Sequence, residues 1–198
     1  MSVTAQDVKA LRDRTGAGMM DCKNALAEAD GNIEKAVELL RARGQAQAAK
    51  RSGREVAEGT IQSYIHAGGK IGVLVELDCE TDFVARNENF VAFARDLALH
   101  IAAADPLAVT EDELPGEDRE RELRIATEQA ADRPENVRDR VIQGRFDKWL
   151  DDVVLLRQTH VNTDKYENQS IEEIRAKLAA DTGENVVIRR FARFQIGA

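Results

Sequence analysis

Three histidines and two cysteines are the side chains of this sequence best suited to catalysis or metal binding. His66, His100 and His160 fall on three different predicted elements, and no pair has the spacing that puts two ligands on one helix face. Cys22 and Cys79 form no CxxC pair, and no nucleophile, dinucleotide or phosphate-binding motif occurs. The sequence therefore favours a protein that is not an enzyme and predicts no cofactor and no metal, while convergence of these residues in space stays open.

One short stretch has the chemistry of a protein-binding site. Residues 81–84 are Thr81, Asp82, Phe83 and Val84, between a predicted strand and a predicted helix. At such a junction Phe83 could supply apolar contact area, and Asp82 could pair with donors on a partner. The alternative is that Phe83 fills the core while Asp82 caps the next turn. Residue chemistry alone favours that alternative, because most phenylalanines are buried.

Met19, Met20 and Arg12 pose a similar choice. Met19 is in helical register with Cys22 and Leu26, so packing inside a bundle explains it. Met20 is one position out of register, which leaves a flexible apolar side chain in water unless a partner covers it. Arg12 also lies off its apolar stripe, which favours a solvated charge. Together with Met20, however, it would form a small exposed patch.

The elements that position these residues begin with a helical region. Thr4 and Asp7 have the spacing of a capping box, and apolar residues at helical intervals predict three short helices, the last ending before Gly44. Residues 45–56 carry basic side chains among alanines without an apolar stripe, which is typical of a helical or extended linker. The predicted divisions are a three-helix module over 1–44, a linker over 45–56 and a core over 57–198.

The core is predicted to be α+β, with a small antiparallel sheet packed on helices. Gly68 and Gly69 supply a hairpin turn, and Ile61 and Ile65 are expected to contribute to the one buried face of that hairpin. The later predicted elements are charged helices, a short strand over 153–156, a helix that begins at a capping box of Ser170 and Glu173, and a last strand over about 185–196.

Composition and charge narrow the function classes further. The chain has 198 residues, 43% hydrophobic and 32% charged, with a net charge of -8, so a general affinity for nucleic acid is disfavoured. Residues 1–56 carry 10 basic and 8 acidic groups and form the one net basic part. Two distant cysteines, no secretory signal and no apolar run of membrane-spanning length predict a cytoplasmic protein without a membrane partner.

Four stretches together resemble the bacterial elongation factor Ts family. Residues 8–23 (VKALRDRTGAGMMDCK) and 80–86 (ETDFVAR) are similar to its two signatures, and residues 144–148 (GRFDK) and 186–197 (VVIRRFARFQIG) are similar to the end of its core. Two long ungapped signatures in the right order are far more specific than a short glycine motif. The length resembles the compact form of the family.

The resemblance implies a guanine-nucleotide exchange factor that binds elongation factor Tu during translation elongation. It implies a three-helix module like a ubiquitin-associated domain, an α+β core and pairing of two copies as a homodimer. Residues 81–84 are then expected to disturb the Mg²⁺ and phosphate site of the GTPase, while Arg12, Met19 and Met20 hold a neighbouring helix. His100, within 99–103 (LHIAA), resembles a further contact, although a histidine on the helix surface is the simpler interpretation.

Two other functions stay open from the residues. The three-helix module could belong to an adaptor that binds ubiquitin-like proteins or other helices, with the remainder as an oligomerising core. An RNA-associated translation protein is the second alternative, for which the negative net charge and the low aromatic content are poor support.

Overall fold

The N-terminal part of the chain is a bundle of three helices. The computed structural model describes residues 3–15 and 17–197. Helices α1 (Ala5–Thr15), α2 (Met19–Glu28) and α3 (Ile33–Arg51) follow one another. The predicted capping box is present, since the Asp7 amide donates to Thr4 Oγ1 at 3.2 Å and the Thr4 amide donates to Asp7 Oδ2 at 3.0 Å. The core of this bundle consists of small and aliphatic side chains: Val8, Leu11, Cys22, Ala25, Leu26, Ala29 and Ala36.

Helix α3 is longer than predicted and runs through most of the segment expected to be a linker. Its predicted end before Gly44 is wrong, because alanine-rich sequence propagates a helix well and because the extension packs on α9 (Ile171–Thr182). Arg51 Nη1 donates to the Ala179 carbonyl at 3.1 Å, and Arg41 forms an ion pair with Glu173. Of the two forms predicted for the segment after residue 44, helical or extended, the structure shows the helical one as far as Arg51.

A three-stranded antiparallel sheet follows. Its strands β1 (Glu58–Ile65), β2 (Ile71–Cys79) and β3 (Val187–Gln195) lie in the order β1-β2-β3. The hairpin turn between β1 and β2 contains Gly68 and Gly69, whose φ angles of +89° and +69° suit glycine. The predicted hairpin and last strand are thus confirmed.

One face of the sheet packs on α5 (Glu88–Ala104) and forms the main core. The residues buried there include Val73, Val75 and Leu77 from β2 and Phe90, Phe93, Leu97 and Ile101 from α5. The expectation for Ile61 and Ile65 is wrong, since both are 65% exposed. The register pairs Ile65 with Gly72 and Ile61 with Glu76, so both isoleucines lie on the outer face. Because side chains alternate across a strand, polar Thr60 and Gln62 take the inner side of β1.

The remaining helices pack beside this core. They are α4 (Asp82–Ala85), α6 (Gly116–Gln129), α7 (Glu135–Val153), α8 (Thr163–Tyr166) and α9, with 3₁₀ turns over Glu111–Glu113 and Leu155–Arg157. The strand predicted over 153–156 is wrong, because α7 runs to Val153 and only one parallel bridge, Ala108 to Val154, follows. The Ser170 and Glu173 capping box at the start of α9 is confirmed. The α+β class, with three helices before a core containing a small antiparallel sheet, is confirmed as well.

Candidate partner-binding site

Residues 81–84 form a tip between the end of β2 and the start of α5. Thr81 is the N-cap of α4, and its hydroxyl accepts the Val84 amide at 3.4 Å. Val84 and Ala85 point into the core and anchor the short helix from below. The Phe83 side chain, in contrast, is 82% exposed to solvent. The tip is therefore a one-turn helix fixed by a cap on one side and buried aliphatic side chains on the other.

The exposure of Phe83 decides between the two interpretations of this stretch. A phenylalanine with most of its surface in water contributes little to the core, so the core interpretation is wrong. Asp82 does not cap the turn, since Thr81 does, and its carboxylate pairs with Arg86 Nη2 at 3.1 Å on the outside of α4. An aromatic ring beside a solvated carboxylate is thus presented outward, whereas Val84 faces the protein interior.

The base of the tip is held by two carboxylates that sequence reasoning did not single out. Glu184 Oε2 accepts the backbone amides of Glu80 and Thr81, both at 3.0 Å, and Glu80 Oε1 accepts the Asn185 amide at 2.6 Å. That Asn185 hydrogen bond lowers the pKa of Glu80. Glu80 belongs to the 80–86 motif, but the backbone amide that it accepts lies more than a hundred positions away, so no local pattern could indicate it.

The patch predicted on the N-terminal module is exposed, with one correction. Arg12 is in the last turn of α1, and Met19 and Met20 begin α2, so the three lie on either side of the α1–α2 connection. Met20 is exposed as predicted. Met19 was expected to pack inside the bundle and is instead 56% exposed, because the buried stripe of α2 begins only at Cys22. All three side chains can therefore be reached from solvent.

His100 is not on the surface, so the expectation of a surface-facing histidine is wrong. Its side chain is fully buried between α5 and the segment after α7. Its Nδ1 accepts the Val161 amide at 3.2 Å, which leaves the proton on Nε2 to donate to Gln158 Oε1 at 2.9 Å. The ring also stacks on His160, with centroids 5.1 Å apart. These bonds assign His100 to the interior of its own chain.

The buried histidine pair predicts a loss of stability in mild acid. Burial first, and the neighbouring His100 second, lower the pKa of His160 from 6.5 to about 4. Unfolding then takes up a proton below pH 6.5, so stability is complete above that pH and falls as the pH decreases towards 4. We expect the free energy of unfolding to drop by about 2 to 3 kcal/mol across this window. Urea unfolding at several pH values between 7 and 4.5 measures it.

Two variants separate this effect from the titration of carboxylates. His160→Phe keeps an aromatic ring and removes the titrating group, so its stability should change less with pH over the same window. His66→Phe changes an exposed histidine on the β1–β2 hairpin and should follow the wild-type curve. An equally steep acid loss in His160→Phe would contradict the assignment.

The described residues do not assemble a metal site. Within 3–15 and 17–197, no group of three or more His, Cys, Asp or Glu side chains is placed to hold a metal ion. Nor does any helix in this part of the chain have the length and apolar character that crossing a membrane requires.

Comparison with known proteins gives one consistent result. A family model described as Elongation factor TS matches residues 2–167. A protein named Elongation factor Ts from Desulfotalea psychrophila is 51% identical over 201 residues, covering 100% of both chains. Two proteins of the same name also align with 100% of this chain. The one from Syntrophus aciditrophicus is 50% identical over 98% of its length, and the one from Geobacter sulfurreducens is 48% identical over 91% of its length. Identity at this level over the whole length establishes common ancestry, and the chain belongs to the elongation factor Ts family.

Proposed function

We propose that this chain is a guanine-nucleotide exchange factor that binds elongation factor Tu and promotes release of GDP from it. Family membership supports the general role. The observation that carries the site is the exposure of Phe83 on a fixed one-turn helix, since an aromatic side chain held in water on a rigid base is typical of a binding hot spot.

The proposed mechanism needs no covalent chemistry from the exchange factor. A GTPase holds GDP mainly through backbone amides around the phosphates and through a bridging Mg²⁺. Phe83 inserts between helices of the GTPase domain, and the solvated Asp82 carboxylate pairs with donors beside them. Insertion displaces the elements that hold the Mg²⁺ and the phosphate loop, so the contacts to GDP weaken.

Within this proposal the four tip residues have different roles. Phe83 and Asp82 contact the partner, because their side chains are exposed. Thr81 caps the one-turn helix, and Val84 anchors it from the core, so both act by fixing the direction of the aromatic ring. Because His100 is sealed within its own subunit, it is not among the proposed contacts.

A second contact area holds the GTPase domain while the tip acts. Arg12, Met19 and Met20 present one charge and two flexible thioethers on the only net basic part of the chain. Methionine side chains are flexible and adapt to the shape of a helix surface, and arginine adds directional hydrogen bonds. This patch is therefore proposed to dock a neighbouring helix of the GTPase domain.

Linkage sets the energy that the exchange factor must supply. A factor that loosens GDP must itself bind nucleotide-free GTPase more tightly than the GDP form, and by the same ratio. A hundredfold effect corresponds to about 2.7 kcal/mol of differential contact energy. One aromatic hot spot supplies about 2 to 4 kcal/mol, so a single ring that inserts in the nucleotide-free form and not in the GDP form is sufficient in magnitude.

We also propose that two copies of the chain pair through the outer face of the sheet. Ile61, Ile65, Leu74 and Phe194 are exposed on that face, and the register places Ile65, Gly72 and Phe194 in one row across the three strands. The ion pair between Arg190 and Glu76, at 2.6 Å, adjoins this apolar area. An apolar centre with a charged border is typical of protein interfaces, and a second copy would bring an identical, self-complementary face.

Release of fluorescent GDP from elongation factor Tu is the measurement that tests the function. Adding this protein at micromolar concentration should accelerate release by about a hundredfold at saturation, because changes of affinity are expressed mainly in the dissociation rate. Unchanged release would contradict the proposal. If the protein instead bound ubiquitin-like proteins without affecting GDP, the adaptor interpretation would take its place.

A further inference from the structure

Hydrogen bonds to two carboxylates, Glu80 and Glu184, join the base of the tip to the turn that follows α9. We call this set of bonds the clasp. Glu184 accepts from the backbone amides of Glu80 and Thr81, and Glu80 accepts from the amide of Asn185. The Glu184 side chain therefore binds the main chain at Glu80 and Thr81, and the Glu80 side chain binds the main chain next to Glu184. The left-handed Gly183, with φ of +77°, ends α9 and directs Glu184 and Asn185 back towards the end of β2.

A continuous set of hydrogen bonds leads from Glu184 to the helix that carries Phe83. Glu184 Oε1 accepts the Thr81 hydroxyl proton at 2.6 Å, which leaves an oxygen lone pair of that hydroxyl for the Val84 amide. The carboxylate thus selects the side-chain orientation in which Thr81 caps α4. Without it, the hydroxyl would rotate freely, and the amides of Glu80 and Thr81 would lose their acceptor.

The same clasp connects the tip to the end of the N-terminal helical region. Asn185 Nδ2 donates to the carbonyls of Ser52, at 3.3 Å, and Arg54, at 3.0 Å, just beyond α3. Arg54 Nη1 reaches Glu80 Oε1 at 3.3 Å. The base of the tip, the turn after α9 and the segment after α3 therefore meet at one point.

We propose that Glu184 is a positioning residue for nucleotide exchange, holding Thr81 as the N-cap of α4 and so fixing the direction in which Phe83 is presented. This role rests on the proposed exchange function. In this role Glu184 needs no contact of its own with GDP or metal. It acts through the Thr81 cap, and removing its carboxylate should let the one-turn helix fray while the sheet and α5 stay packed.

A double-mutant cycle distinguishes positioning from a general contribution to stability. We expect Glu184→Ala to slow GDP release from elongation factor Tu by about fivefold or more, the lower end of usual coupling effects. In a Phe83→Ala background, at a concentration of the variant at which release is still clearly faster than the spontaneous rate, the same change should slow the stimulated release less than about twofold, since no ring remains to be positioned. Equal losses in both backgrounds, or no loss in the wild-type background, would overturn the proposal.

Three further measurements complete the experiment. Glu113→Ala removes a carboxylate that also accepts a backbone amide, from Val109 at 3.1 Å, but away from the tip, and should leave release unchanged. Glu184→Gln keeps one acceptor oxygen, so it should slow GDP release less than Glu184→Ala does. It takes the place of Glu184→Ala if the alanine variant does not fold. Amide hydrogen exchange at Thr81 and Val84 should be faster in Glu184→Ala, and unchanged protection would overturn the assignment.

The cycle also separates this inference from the proposed function. If Phe83→Ala alone strongly slows release while Glu184→Ala has no effect, only the positioning role fails. Unchanged release with Phe83→Ala overturns the proposed insertion of the ring, and the positioning role with it.

Discussion

Phe83→Ala should slow GDP release from elongation factor Tu by about a hundredfold, which corresponds to the loss of a hot-spot contact of about 2.7 kcal/mol. The ring is 82% exposed, so its removal takes almost no contact from the core. The midpoint of thermal unfolding should therefore stay close to that of the wild type. Stopped-flow release of fluorescent GDP, with differential scanning calorimetry beside it, measures both quantities.

A matched control removes another exposed apolar side chain. Leu123→Ala on α6 removes a half-exposed leucine outside the tip, so it should leave GDP release unchanged even if unfolding shifts slightly. Release at the wild-type rate with Phe83→Ala would contradict insertion of the ring. A large fall in the unfolding midpoint would show instead that Phe83 contributes to the fold, contrary to its exposure.

Leu74→Glu should convert a homodimer into monomers. Leu74 lies on the central strand of the outer sheet face and is half exposed, so a glutamate there is tolerated in the free subunit. In a paired face the same carboxylate would be buried without a partner, at a cost of about 3 to 5 kcal/mol. The dimer dissociation constant should then rise by about two to four orders of magnitude. Sedimentation velocity over a concentration series measures this change.

The control for the sheet face is again on α6. Leu123→Glu adds the same charge at an exposed leucine outside the sheet and should leave the association state unchanged. Sedimentation of the wild-type chain as a monomer at tens of micromolar would contradict pairing through this face, as would a Leu74→Glu protein that remains dimeric.

Local sequence signals predicted the elements that depend on near neighbours. The Thr4 and Asp7 box, the Ser170 and Glu173 box and the paired glycines at 68 and 69 each specify a cap or a turn within a few residues. The same locality explains the tip, because the change from strand to helix at Thr81 is visible in the sequence.

Predictions that depended on distant packing were less accurate. Ile61 and Ile65 look like core residues, but the pairing with β2 sends them outward. His100 lies on a helix whose covering segment, near Gln158, comes almost sixty residues later. Met19 is in register with a buried stripe that does not extend to the first turn of α2. In each case a contact remote in sequence, or the lack of one, determined burial.

Helix α3 has a further consequence for how the chain engages a partner. It passes without a break from the N-terminal module to its packing on α9, where Arg51 holds the Ala179 carbonyl. An unbroken helix makes a stiff spacer, so it limits how far the patch of Arg12, Met19 and Met20 can move relative to the core that carries Phe83. In the proposed complex, docking of one of the two would hold the other at high effective concentration over its own target. This arrangement would favour GTPases whose two docking points are separated by the same distance.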